Sequence, residues 1–428
     1  MTNIFNKFIV VIINVFVMFF LCCNSKAQLN SQNNSILIQQ TLNQATDKSN
    51  SNLDENNIKP GAENVPSYLP LLKDKSVGIV ANQTSIINNV HLIDSLLSLG
   101  VNIKCIFSPE HGFRGDASAG AYIADGVDIK TNLPVISLYG NNKKPTQHQL
   151  KGLDLVVFDL QDVGTRFYTY ISTLTYVMEA CAEADIPILV LDRPNPNAHY
   201  VDGPVLESGY ESFVGMHKIP VVYGMTIGEY AKMINGEKWI SPYYKDENMV
   251  TIIPISNYSH SSIYHLPVAP SPNLKNMSAI WLYPTLCFFE GTVVSVGRGT
   301  DFPFELLAHP KIKNGDTIVT PISIKGVAEN PKFKNVQCNA YNFINLGYQQ
   351  RYDSTNGYFL DIDLIIKLYN EINIGRDFFT SFFDKLAGTY KLKQQIIEGQ
   401  TSSQIRKSWE NDINNFLKIR SKYLIYPN

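Results

Sequence analysis

Four short apolar runs, each ending on a polar residue, constrain this chain more than any other feature. Residues 77–81 end at Asn82, 101–107 at Ser108, 153–158 at Asp159 and 186–191 at Asp192. The runs are largely apolar and rich in β-branched side chains, the pattern of strands covered on both faces. Helical patterns over 91–99 and 168–184 precede the second and fourth runs. Strand alternating with helix predicts an α/β fold, a Rossmann-like doubly wound parallel sheet with right-handed crossovers.

In such sheets ligands bind outside the carboxyl ends of the strands. All four runs lead there into polar, chemically able segments: 82–84, 108–115, 159–166 and 192–196. No GxGxxG follows the first strand and no GxxxxGK[ST] occurs, so a dinucleotide or P-loop site has no support. Charge is balanced, with 36 Lys and Arg against 38 Asp and Glu. A nucleic-acid partner, which calls for a basic excess, is not expected.

The chain's N-terminus reads as targeting rather than fold. Lys7 precedes an apolar run over 8–23 broken only by Asn14, and Ser25-Lys26-Ala27 offers small residues for cleavage. The run is shorter than the ~20 residues that span a bilayer. Residues 1–27 are therefore expected to be a signal peptide, and the protein to be exported, periplasmic or secreted. Lipid anchoring at Cys22 or Cys23 is the alternative. Asn, Gln, Ser and Thr supply 19 of the 33 residues from 28 to 60, so 28–62 is expected to be a disordered linker. The remaining four cysteines (105, 181, 287 and 338) are scattered, without disulfide or zinc spacing, and read as buried thiols.

Two subdomains are expected in the mature chain: the Rossmann-like one over 63–203 and a smaller β-rich one over 204–428 that ends in helices. Past residue 203 the texture turns to Pro, Gly and short strand-like runs such as 251–254 and 317–319. The cleft lies between the two. A last helix is expected from a cap at Ser402 or Ser403, with Ile405, Trp409, Ile413, Phe416 and Leu417 as its apolar stripe.

Candidate residues gather on the strand ends. Glu110 follows a strand and a proline, with His111 and Gly112 after it. A carboxyl on such a turn, beside Phe113, Phe167 and Tyr168, can have its proton affinity raised by desolvation and serve as a general acid. Glu290 sits in an apolar stretch, so it is either a cleft carboxylate or a buried pair. Asp159 and Asp162 end the third strand, one to orient backbone or arginine, the other as a second carboxylate. Asp192 and Asp301 lie near Arg193 and Arg298 and read as paired. Only eight arginines occur, and all four before position 350 fall in these segments. A guanidinium fork binds carboxylate in two places, where an ammonium cannot. Arg166 and Arg193 read as scaffold; Arg114 and Arg298 are candidates for an anionic substrate group. Asn82, Gln161, Tyr168 and Asn195 complete the expected lining. A metal site built from His111, Asp159, Asp162, Asp192 and His199 competes with this reading, without HExxH-type spacing.

Five collinear segments carry a resemblance: 108–115 (SPEHGFRG), 159–170 (DLQDVGTRFYTY), 192–196 (DRPNP), 224–229 (GMTIGE) and 289–301, with its Phe-Glu-Gly-Thr and Gly-Arg-Gly-Thr-Asp. Together they closely resemble the exo-β-N-acetylmuramidases of the NamZ type (glycoside hydrolase family 171), over roughly residues 65–428. The resemblance implies two subdomains with the cleft between them. It implies release of N-acetylmuramic acid from the non-reducing end of peptidoglycan fragments, and Glu110 as the leading catalytic residue. Val222-Tyr223 depart from the Arg-His-like pair expected before Gly224. The implied ligand is a small saccharide; no cofactor, metal or stable protein partner is implied. Retaining, inverting and substrate-assisted mechanisms all remain open. A non-catalytic cell-wall saccharide-binding protein and a metal-dependent hydrolase are the rival functions.

Overall fold

The computed structural model describes residues 57–110, 112–114, 126–240, 249–352 and 360–428. His111, the signal segment and the linker up to residue 56 lie outside them.

The expected strands form. They are β1 (Val77–Ala81), β2 (Ile103–Ser108), β3 (Gly126–Val127), β4 (Pro134–Ser137), β5 (Leu155–Asp159), β6 (Ile188–Leu191) and β7 (Val250–Ile253). Their order across one sheet is β3-β4-β2-β1-β5-β6-β7, parallel except for the β3–β4 edge pair. From β4 to β7 this is the doubly wound order, which reverses between β1 and β5.

Alternation within the strands explains why both faces are covered. Val80, Phe107, Val156, Phe158, Ile188 and Val190 point into one core with helices α1 (Tyr170–Ala184) and α2 (Ile227–Gly236). Val77, Ile79, Leu155, Val157, Leu189 and Leu191 point into a second, with Tyr68, Leu72, Leu92, Ile93 and Leu96. Successive side chains on a strand face opposite ways, so a two-sided sheet needs apolar residues throughout.

β7 corrects the expected boundary at residue 203. The 251–254 run is an outer strand of the large sheet and pairs in parallel with β6, so the first lobe continues past it. The linker also ends early. Lys59 N–H donates to the Ser256 carbonyl at 3.1 Å and Gly61 N–H to the Asp192 carbonyl at 2.7 Å.

The second lobe holds an antiparallel sheet of β8 (Leu306–His309), β9 (Thr317–Val319) and β10 (Cys338–Asn342), in the order β8-β10-β9. Helix α3 (Met277–Leu286) is apolar all round and buried along its whole length, as such a helix must be. After α4 (Ser381–Ala387), the chain ends in α5 (Ser402–Arg420). Thr401 and Gln404 close a reciprocal capping box there, one residue before the expected cap. Ile405, Trp409 and Phe416 are buried as expected, but Leu417 is 37% exposed. Arg420 continues the stripe instead, its Nε donating to the Gly224 carbonyl at 2.8 Å. The four cysteines are buried thiols.

Candidate active site

A cavity of about 410 Å³ opens at the carboxyl ends of the strands, between the two lobes. β2 delivers Glu110, the segment after β4 delivers Tyr139 and Lys143, and the segment before α1 delivers Phe167, Tyr168 and Thr169. The second lobe faces them with Tyr283, Glu290, Arg298, Phe304 and Phe382.

Glu110 is presented by the turn the sequence implied. Gly112 has φ of +83°, a left-handed value that glycine adopts without strain. Thr169 occupies the N-cap position of α1, yet its side chain caps nothing. Its Oγ1 donates to Glu110 Oε2 at 2.9 Å instead. A threonine at an N-cap ordinarily accepts from the first turn; this one is spent on the carboxyl. Tyr139 hydrogen-bonds the same carboxyl; burial first, and then the Glu110 charge, push its phenol up to about 12.

Glu290 is the opposite case. Arg298 clamps it bidentately, Nε to Oε1 and Nη2 to Oε2, both at 2.8 Å. Burial would raise its pKa, but the Arg298 charge, the Arg298 hydrogen bonds and Lys332 together outweigh it and hold the carboxyl below its ordinary value. Lys332 braces this corner from behind. Its three N–H groups are shared among the carbonyls of Phe289 (3.1 Å), Glu290 (3.1 Å), Thr292 (2.6 Å) and Val294 (3.0 Å). Burial pulls that ammonium down to about 8.

Tyr168 lines the wall and is fastened to the loop that carries Pro270. Its hydroxyl donates to the Pro270 carbonyl at 2.9 Å, and Tyr170 and Gln83 reach the same carbonyl at 3.2 Å.

Five expected residues therefore meet in the cavity: Glu110, Phe167, Tyr168, Glu290 and Arg298. The others form the floor beneath it or lie away from it. Asp159 is fully buried and grips Arg193 in a two-point pair at 2.5 and 2.8 Å. Asp192 accepts from Arg193 N–H (3.0 Å), Gly228 N–H (2.8 Å), Thr226 Oγ1 (2.7 Å) and the Tyr426 hydroxyl (2.6 Å), pinning the start of α2. Asn82 donates to the Tyr170 hydroxyl at 2.7 Å, and Gln161 to the carbonyls of Asp162 and Pro194. Asn195 donates to the Met225 carbonyl at 2.7 Å. It also packs against Gly164 (φ +78°), where a Cβ would sit 2.1 Å from Asn195 Oδ1.

Asp162, nominated as a catalytic carboxylate, is 3% exposed and accepts from the Tyr223 hydroxyl and from Gly164 N–H at 2.6 Å. Burial pushes it up to about 6, against the pull of those donors. Tyr223, where the Arg-His-like pair was expected, is thus a buried donor.

Arg166 is fully buried and caps the carbonyls of Pro204, Ile219 and Leu386, which bridges the lobes. Arg114, a candidate for substrate, is committed to Asp128 at 2.9 and 2.8 Å and does not line the cavity. Phe113, expected in the wall, is buried beneath Arg114. Asp301 is exposed, its carbonyl taking Lys275 at 3.4 Å. Tyr139, Lys143, Thr169, Phe213, Tyr283 and Lys332 were not anticipated. A signal existed for Thr169, which lies within the 159–170 segment, and for Tyr139, which follows the short apolar run of β4.

Fold and cavity together define a two-lobed α/β protein with one arginine-held carboxylate and one hydroxyl-held carboxyl in a shared cleft. Models of the N-terminal and C-terminal domains of exo-β-N-acetylmuramidase NamZ match residues 77–278 and 281–426. The chain belongs to the NamZ family. It is 38% identical over 381 residues to the peptidoglycan β-N-acetylmuramidase NamZ of Bacillus subtilis (strain 168), covering 85% of this chain and 89% of that protein. Two crystal structures of DUF1343 family proteins from Bacteroides fragilis share the fold. One has a TM-score of 0.79 at 43% identity, covering 87% of this chain and 99% of the other. The second has a TM-score of 0.69 at 27% identity, covering 86% and 99%.

Proposed function

We propose that this protein is an exo-acting glycoside hydrolase that releases N-acetylmuramic acid from the non-reducing end of peptidoglycan fragments. Membership of the NamZ family supports the reaction. The observation that carries it to particular residues is the unlike treatment of two carboxyl groups in one cavity. Glycoside hydrolysis needs a group that protonates the leaving oxygen and a second that stabilises or attacks the developing oxocarbenium ion. Environments that separate two carboxyls assign these roles. Glu290, held ionised by Arg298, is the wrong group to give up a proton and the right one to face a developing cation. Glu110, oriented among the described residues by the Thr169 and Tyr139 hydroxyls, takes the other role, protonation of the leaving oxygen.

The aromatic wall of Phe167, Tyr168, Tyr283 and Phe304 suits the apolar face and acetamido methyl of the sugar. Incubation with a muramic-acid-terminated disaccharide, with products read by mass, tests the reaction. Free N-acetylmuramic acid is the expected product; saccharide binding without cleavage would contradict the proposal.

Export to the periplasm or medium is part of the same proposal, supported by the apolar 8–23 segment and the small residues at 25 and 27. N-terminal sequencing of the mature protein tests it: a start at Gln28 is expected, and an intact Met1 would contradict it.

A further inference from the structure

The sugar named above differs from N-acetylglucosamine by a lactyl ether that carries a carboxylate, and the cavity must meet that charge. Two described cations line it, Arg298 and Lys143. Arg298 spends Nε and Nη2 on Glu290. Lys143 makes no ion pair with a described carboxylate; its ammonium stands 4.7 Å from the centroid of the Phe213 ring. The neighbouring lysine shows the contrast. Lys144 is tied to Glu179 and Glu183 on α1, at 3.1 and 2.7 Å, which leaves Lys143 to the cavity side.

The Lys143 position is built. The Asn142 side chain donates to the Ser137 carbonyl at 2.9 Å, which fastens the segment to the end of β4. Across from it, Ser212 and Gly215 exchange backbone hydrogen bonds of 2.8 and 3.0 Å in a tight loop that presents Phe213 and Val214 to the cavity. Tyr176 of α1 stacks on Phe213 with ring centroids 6.1 Å apart and planes 16° from parallel. An ammonium over a ring face keeps its N–H groups available for an anion.

We propose that Lys143, backed by Phe213, binds the lactyl carboxylate and sets the preference for muramic over glucosamine glycosides. The proposal rests on the function proposed above. Arg298 and Glu290 neutralise each other, so among the described lining residues Lys143 is the cation that an anionic sugar group meets.

The test compares two aryl N-acetylmuraminides, the free acid and its lactyl methyl ester, which has nearly the same shape without the charge. Wild type is expected to prefer the acid. Lys143→Met should lower kcat/KM on the acid about 10- to 100-fold, as loss of a charge-assisted hydrogen bond predicts, and leave the ester nearly unchanged. Lys143→Arg should restore part of the preference. A Lys143→Met enzyme that keeps the full wild-type preference overturns the assignment and leaves the function standing. A wild type inactive on both substrates overturns the function and this inference with it.

Discussion

Arg298 holds Glu290 by two parallel hydrogen bonds of equal length, 2.8 Å, from Nε and Nη2. The cavity that contains this pair also contains Glu110, whose carboxyl takes its hydrogen bond from the Thr169 hydroxyl. One group is kept charged and the other is met by neutral donors.

The fork geometry makes arginine irreplaceable at this pair. Arg298→Lys keeps the charge but offers one point contact where two were made. Steady-state assays should show kcat/KM reduced about tenfold or more, with the melting temperature within a few degrees of wild type. Full activity in the lysine variant would mean that Glu290 needs only a nearby charge.

Lys332 acts on Glu290 through the backbone and through its field. Lys332→Met strips a donor from four carbonyls and should destabilise the protein by roughly 2–4 kcal/mol. Without the ammonium, the Glu290 carboxyl titrates at higher pH, so the acid limb of the kcat/KM profile should move up. A lower melting temperature with an unmoved acid limb would reduce Lys332 to a packing role.

The two hydroxyls on Glu110 are separable from its carboxyl. Thr169→Val combined with Tyr139→Phe preserves shape and removes both contacts. Turnover should fall about tenfold while KM changes little, because the acid loses its orientation rather than the substrate its pocket. Unchanged kcat would show that Glu110 is placed by the backbone alone.

Two buried carboxyls shape the stability profile. Burial raises Asp162 from 3.8 to about 6 and Asp192 from 3.8 to about 7. Both bind their proton more tightly in the folded state, so their stabilising contribution is complete below about pH 4. It is lost as pH rises through about 6 and 7 respectively. Unfolding free energy should therefore decline across this window, by up to roughly 3 kcal/mol from Asp162. Asp128, lowered to about 2 first of all by its Arg114 hydrogen bonds, acts in the opposite sense and only at lower pH. Denaturant titrations of Asp162→Asn should show a shallower decline between pH 4 and 6. Curves parallel to wild type would show that Asp162 does not titrate in that range.

Much of the scaffold was legible because apolar runs with polar ends admit few folds. The same logic located Glu110, which follows β2 directly. It misplaced the 251–254 run, because an edge strand of a parallel sheet and a strand of a separate lobe have the same local pattern. Arginine scarcity marked all four arginines before position 350: Arg166 and Arg193 are scaffold, as expected, Arg298 lines the cavity but clamps Glu290, and Arg114 lies away from it. A guanidinium that holds Asp128, as Arg114 does, reads in sequence like one that faces a cavity. The missed wall residues Lys143 and Phe213 sit on short loops after weak or absent strand signals. Their common cavity arises from long-range packing that no local spacing records.

The central claim is that Glu110 protonates the leaving oxygen in a muramic-acid-releasing enzyme. The most direct test is release of N-acetylmuramic acid from a muramic-acid-terminated disaccharide by wild type and by Glu110→Gln, under identical conditions and with matched melting temperatures. Rapid release by wild type and a loss of about 10²–10⁴-fold in the variant is the predicted result. Near-equal release by the two proteins would contradict it.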